Sequence, residues 1–153
     1  IYNNYGITRG QKTVSNEDGM DKTIEQAKKN EFNGLIFVNL VEFDSEYGHR
    51  RNAVGYADAI ERFDKRLGEL MEVVTADDLV LLTADHGNDP TWHGTDHTRE
   101  MVPLIAISKA FTKGRVLKDR TSFADIGATI LINYNLKPTP TLIGKPIKEL
   151  LEE

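Results

Sequence analysis

The 153-residue chain contains no cysteine. That absence excludes disulfides, zinc–thiolate sites and thiol nucleophiles together, and it fits a reducing cytoplasm. Positive charge is short: 19 Lys and Arg stand against 24 Asp and Glu, a net charge of −5. Nucleic acids and anionic membranes demand clustered positive charge, so neither partner is expected. No apolar run approaches the roughly 20 residues a membrane-spanning helix needs, and no signal peptide is expected. A soluble protein is expected. The chain also lacks an initiating Met. Residue 1 is Ile, in an opening rich in Gly, Asn and Tyr that has neither helix nor strand pattern, and the expectation is a piece of a longer polypeptide. The remaining composition is ordinary, with 39% hydrophobic and 28% charged residues, which excludes disorder.

Along the chain, strand-like and helix-like segments alternate. Asp21 to Asn30 reads as a short polar helix, and residues 1–32 as a connector containing it. Gly34 to Val41 is a near-continuous apolar run of strand length, the pattern of a strand covered on both faces in a parallel sheet. From Ala53 to Val74, Tyr56, Ile60, Phe63, Leu67, Leu70, Met71 and Val74 recur every three or four residues, which predicts an amphipathic helix of about six turns. Asp78 to Ala84 and Val102 to Ile107 are two further buried-strand candidates, with Pro103 marking a strand start or an edge. Residues 121–133 predict a helix capped by Thr121 or Ser122, and a short helix begins near Ile147. Lys28-Lys29 and Glu152-Glu153 are short charge runs on solvated surface. The alternation predicts an α/β fold, a mainly parallel sheet flanked by helices.

The histidines carry the chemistry. All four lie between positions 49 and 97, three of them in acidic settings: Asp44 to His49, Asp85-His86 and Asp96-His97. Asp44 and Asp85 each follow a predicted strand, where open α/β sheets bind ligands. Carboxylate oxygen with imidazole nitrogen suits divalent metals of the manganese, zinc or iron type; the competing reading is that the aspartates cap helices and the histidines bond nearby loops. His93 has no adjacent acid and reads as a surface or supporting residue. Arg50, Arg51 and Arg99 flank the clusters, and guanidinium binds phosphate in bidentate fashion, although simple charge balance accounts for each arginine alone.

The strings Phe43-Asp44-x4-His49-Arg50-Arg51, Thr83-Ala-Asp-His-Gly-Asn-Asp-Pro90 and Gly94-Thr-Asp-His-Thr-Arg-Glu100 resemble the phosphopentomutase family of the alkaline phosphatase superfamily. The resemblance runs from about residue 33 to the end. It separates this chain from the related phosphoglycerate mutases, whose earlier Asp and His are usually four apart rather than five. It implies a partial alkaline phosphatase-like core, with residues 33–153 its C-terminal, metal-binding part and a nucleophile-bearing part and cap domain upstream. It further implies one manganese ion on Asp44, His49 and His97, and a second on Asp85 and His86 with an aspartate that has no match here. The family's nucleophile is a threonine that also has no match in this chain.

The activity implied is the interconversion of pentose 1-phosphate and 5-phosphate by a cytoplasmic enzyme, through a phosphothreonine and two Mn ions. Arg50 and Arg99 are the weak candidates for the substrate phosphate, and Trp92 or His93 for the sugar. The chain alone is expected to be inactive without the remaining N-terminal half of the same protein. The rival readings are another phosphotransferase of the superfamily, such as a phosphoglycerate mutase or a phosphodiesterase, and a non-catalytic metal-binding fragment.

Overall fold

A computed structural model describes residues 5–151. The first four residues of the turn-rich opening and the Glu152-Glu153 pair lie outside the described residues. The fold is mixed α/β and divides into two compact units. One runs through Val74 and resumes over His86–Met101; the other comprises Thr75–Asp85 and the chain from Val102 onward.

In the first unit, helix α1 spans Asn16–Lys29, starting five residues before the position expected from sequence. Ser15 sets the start: its hydroxyl accepts the Asp18 N–H at 3.1 Å, satisfying a donor that the first turn leaves open. Asp18 returns the favour by accepting the Val14 N–H at 2.9 Å. Asn30, in the left-handed region with φ 46°, closes the helix. Helix α2 spans Ala53–Val73, as its periodicity requires, and packs on α1. Met20 and Ile24 of α1 and Ala59 and Leu70 of α2 are buried; each large apolar side chain contributes roughly 1.5–3 kcal/mol relative to exposure. Ile60, by contrast, turns outward at 49% exposure, so the buried stripe runs through Ala59. Arg66 of α2 reaches both Glu17 and Asp21 of α1.

The run 34–41 corrects the first strand expected from sequence. Residues 35–40 have no regular secondary structure, and Leu35, Phe37 and Val41 are exposed. A strand exists only with a hydrogen-bonding neighbour, and no strand among the described residues pairs with this one. Val38 and Leu40 do lie against α1, where a Cβ on Gly19 would meet both side chains.

In the second unit, β1 (Val80–Thr83) and β2 (Leu104–Ile107) form a two-stranded sheet, with Val80 opposite Ile107 and Thr83 opposite Leu104. The pairing is antiparallel, so this two-stranded sheet departs from the mainly parallel arrangement expected. A parallel pair needs a crossover, usually a helix, and residues 84–103 between these strands contain none. Pro103 directly precedes β2, where its missing N–H costs no ladder bond. Helix α3 spans Ala124–Asn133. Phe123 occupies its capping position without a side-chain bond, while the Ser122 hydroxyl accepts the Ala124 N–H at 3.2 Å. A single 3₁₀ turn at Lys148–Leu150 replaces the short terminal helix. Ala128, Thr129 and Ile147 form the most buried part of this unit.

Candidate metal centre

Asp44 and His49 are five residues apart, which an α-helix would place about 140° apart around its axis. The chain avoids that by forming a π-helical turn over Phe43–Gly48, in which His49 N–H bonds to Asp44 O at 2.9 Å. In an i→i+5 turn, residues five apart return to the same side. His49 Nε2 accordingly lies 3.4 Å from Asp44 Oδ2. Phe43 anchors the turn on α2, its ring 5.6 Å from Tyr56 and edge-on to Phe63 at 6.2 Å. Burial, with the Asp44 charge adding to it, pushes the Tyr56 phenol above its ordinary pKa, so Tyr56 stays neutral beside the carboxylate.

The other candidate ligands come from the segment 86–101. A bridge pairs Gly87 with Thr98, and Thr98 N–H bonds to Gly87 O at 3.1 Å. This brings their chain neighbours, His86 and His97, side by side, with rings stacked at 3.7 Å. Gly87 is required there, because a Cβ would lie 2.9 Å from Thr98 O and closer still to Glu100. Thr98 Oγ1 also accepts the Asp89 N–H at 2.6 Å. The Thr91 hydroxyl and N–H hold the Asp89 carboxyl below the usual carboxylate range.

The result is a partly open cluster. Ligand atoms of Asp44, His86 and His97 all lie within 4.8 Å of one another; His97 Nε2 is 3.4 Å from Asp44 Oδ1, and the His49 ring is 4.6 Å from that of His97. His49 Nδ1 sits 2.5 Å from Thr95 O. A carbonyl only accepts, so Nδ1 carries a proton, and Nε2 is the nitrogen left facing Asp44. A ring fixed by a backbone carbonyl through its remote nitrogen is the arrangement metal-ligating histidines adopt. The Asp44 carboxylate with the His86 and His97 imidazoles forms a donor set suited to a divalent transition metal, and His49 stands beside it.

The remaining residues singled out in the sequence fall differently. Asp85 is the last residue of the second unit before the chain crosses to His86, and it is exposed. Arg50 is exposed and pairs with Glu46 at 3.1 Å; Arg99 is exposed. His93 is exposed and stacks on Trp92 with ring centroids 4.6 Å apart. Sequence reasoning gave no role to Asn88, whose amide donates to Asp44 Oδ1 at 2.6 Å. Its only signal was its place inside the His86-to-Pro90 string. It also missed Glu42 and Asn16, which exchange bonds of 2.6 and 3.1 Å and tie the entrance of the π-turn to the start of α1.

Comparison with known proteins agrees with this chemistry. The family model described as Metalloenzyme superfamily matches residues 1–138. A phosphopentomutase of Agathobacter rectalis is 52% identical over 151 residues, covering 99% of this chain. Those of Clostridium botulinum and Clostridium beijerinckii are 49% and 48% identical over 99% and 96% of it. The chain spans only 38%, 38% and 37% of the lengths of these three relatives. With its match to that family model over nine-tenths of its length and a carboxylate–imidazole cluster in place, the chain belongs to the metalloenzyme superfamily.

Proposed function

We propose that this chain is the metal-binding portion of a phosphopentomutase, a cytoplasmic isomerase acting on ribose or deoxyribose 1- and 5-phosphates. The observation that supports it is the convergence of Asp44, His86 and His97 in a chain about half identical to three phosphopentomutases. In this reading Asp44, His49 and His97 hold one manganese ion. Asp85 and His86 contribute to a second, with an aspartate supplied by the rest of the protein. Divalent cations at such a site supply positive charge that acidifies an attacking hydroxyl and neutralises phosphoryl oxygens during in-line transfer.

The chain's own residues prepare the site. Thr95 O fixes the His49 tautomer, the Asn88 amide holds one oxygen of Asp44, and the π-turn aims both ligands to one side. Arg50 and Arg99 are the arginines proposed for the sugar phosphate. The hydroxyl that takes and returns the phosphoryl group is a threonine of the rest of the protein. Complete polypeptide and isolated chain therefore differ in expected activity. The complete polypeptide, loaded with Mn2+, should convert ribose 1-phosphate to ribose 5-phosphate, and the 153-residue chain alone should show no turnover. Faster turnover of phosphoglycerate or of a phosphodiester by the complete polypeptide would replace this reading with another member of the superfamily.

A further inference from the structure

We propose that Arg51 is a positioning residue of the metal centre, joining the two segments that carry its ligands, rather than an anchor for a substrate phosphate. This inference rests on the metal-centre reading above.

Three observations carry it. First, every nitrogen of the Arg51 guanidinium is engaged. Nε donates to Gly94 O at 2.5 Å, Nη1 to Gly48 O at 2.9 Å, Asn88 Oδ1 at 2.6 Å and Asp89 O at 2.8 Å, and Nη2 to Asp96 O at 2.5 Å. Its acceptors lie on the π-turn and at four points of the 88–96 stretch, and Gly94 and Asp96 flank the Thr95 carbonyl that fixes His49. Of the five N–H donors a single Nη2–H is left over, too few to grip a phosphate bidentately. Second, Arg51 holds a left-handed backbone, φ 51°, which a non-glycine residue adopts only when its surroundings over-determine it. Third, the bonding orients Asn88. A guanidinium only donates, so Asn88 Oδ1 faces Arg51 and the NH2 faces Asp44. The space that amide occupies is kept by Gly48, where a Cβ would lie 2.5 Å from Asn88 Nδ2.

The test is titration of the metal-free chain with Mn2+, for the unsubstituted protein, Arg51→Lys, Arg51→Gly and Asn88→Ala. It is read beside thermal melting in EDTA and imidazole nitrogen NMR of His49. Arg51→Gly relieves the left-handed backbone while removing every bond, so a role confined to backbone conformation would leave it unimpaired. The expected result is Mn2+ affinity lower by about 10- to 100-fold in both Arg51 variants. Asn88→Ala should shift in the same direction, metal-free Arg51→Gly should lose proportionally less stability than Mn2+ affinity, and His49 should lose its Nδ1 hydrogen bond to Thr95 O in that variant. Unchanged Mn2+ affinity in both Arg51 variants overturns the proposal. So does a metal-free melting temperature that falls in step with affinity, which would make Arg51 a residue of the fold alone. No uptake by the unsubstituted chain overturns the metal-centre reading itself, and that failure is visible before any variant is measured.

Discussion

Asp125 shows what one buried carboxylate contributes in the second unit. It is 5% exposed; Oδ1 accepts the Lys145 N–H at 2.8 Å and Oδ2 the Arg120 Nε–H at 2.7 Å. The next turn continues the network, since Thr129 Oγ1 donates to Asp125 O at 2.7 Å and accepts the Ile147 N–H at 2.9 Å. The Lys145 N–H chiefly, and Arg120 after it, hold the Asp125 carboxyl below its ordinary pKa against the opposing effect of burial. A pKa lower in the folded than in the unfolded state means that the unfolded chain takes up the proton first as pH falls. The Asp125 contribution is therefore complete above the ordinary carboxylate pKa of about 3.9 and is lost as pH falls from there through the lower folded value. Asp125→Asn should be destabilised by about 1–3 kcal/mol at neutral pH in urea unfolding, because Arg120 loses its charged acceptor. Its stability should also decline less steeply below that carboxylate range than that of the unsubstituted chain. Equal acid slopes would show that other carboxylates dominate the decline.

At the level of single elements, what was legible depended on whether the signal was periodic or local. Helix α2 could be read because burying one face forces the three-and-four spacing of Phe63, Leu67, Leu70 and Val74. Helix α1 was read five residues short because Asn16, Glu17, Asp18 and Gly19 look like a turn, although Ser15-x-x-Asp18 is a capping pattern and the glycine answers to the contact with Val38 and Leu40. Ser15→Ala should remove the bond to Asp18 N–H and cost about 1 kcal/mol. In a chain of this size that is a fall in melting temperature of about 2–4 °C with slight loss of helical ellipticity. No fall would mean that Asp18 and Val14 define the start by themselves. The π-turn had no signature of its own; only the unusual five-residue gap between Asp44 and His49 hinted at it. The clustering of Asp44, His86 and His97 was legible from residue type and spacing, whereas the bonds of Asn88 and Arg51 run through backbone carbonyls and amide orientation, which composition does not encode.

Across the whole molecule, the hardest matter to read was which strand pairs with which. A continuous apolar run states that the chain gains by covering both faces, but not which neighbour supplies the ladder. That is why 34–41 was expected as a sheet strand and stands outside any ladder among the described residues. It is also why a mainly parallel sheet was expected, whereas β1 and β2 pair antiparallel. The consequence is physical. Leu35 is 58% and Phe37 69% exposed, with Val41 and Ile36 beside them, in a segment whose backbone groups pair with no strand among those described. Apolar side chains along an unpaired extended segment favour association through that edge. The 153-residue chain should therefore associate with rising concentration in light scattering. A Leu35→Ser, Phe37→Ser double substitution should shift it towards single chains. Because these side chains are exposed, the melting temperature at low concentration should barely move, within the roughly 0.5 kcal/mol typical of surface changes. A large loss of stability in the double variant would instead mean that Leu35 and Phe37 are packed in the isolated chain, and association would then have to be assigned to another surface.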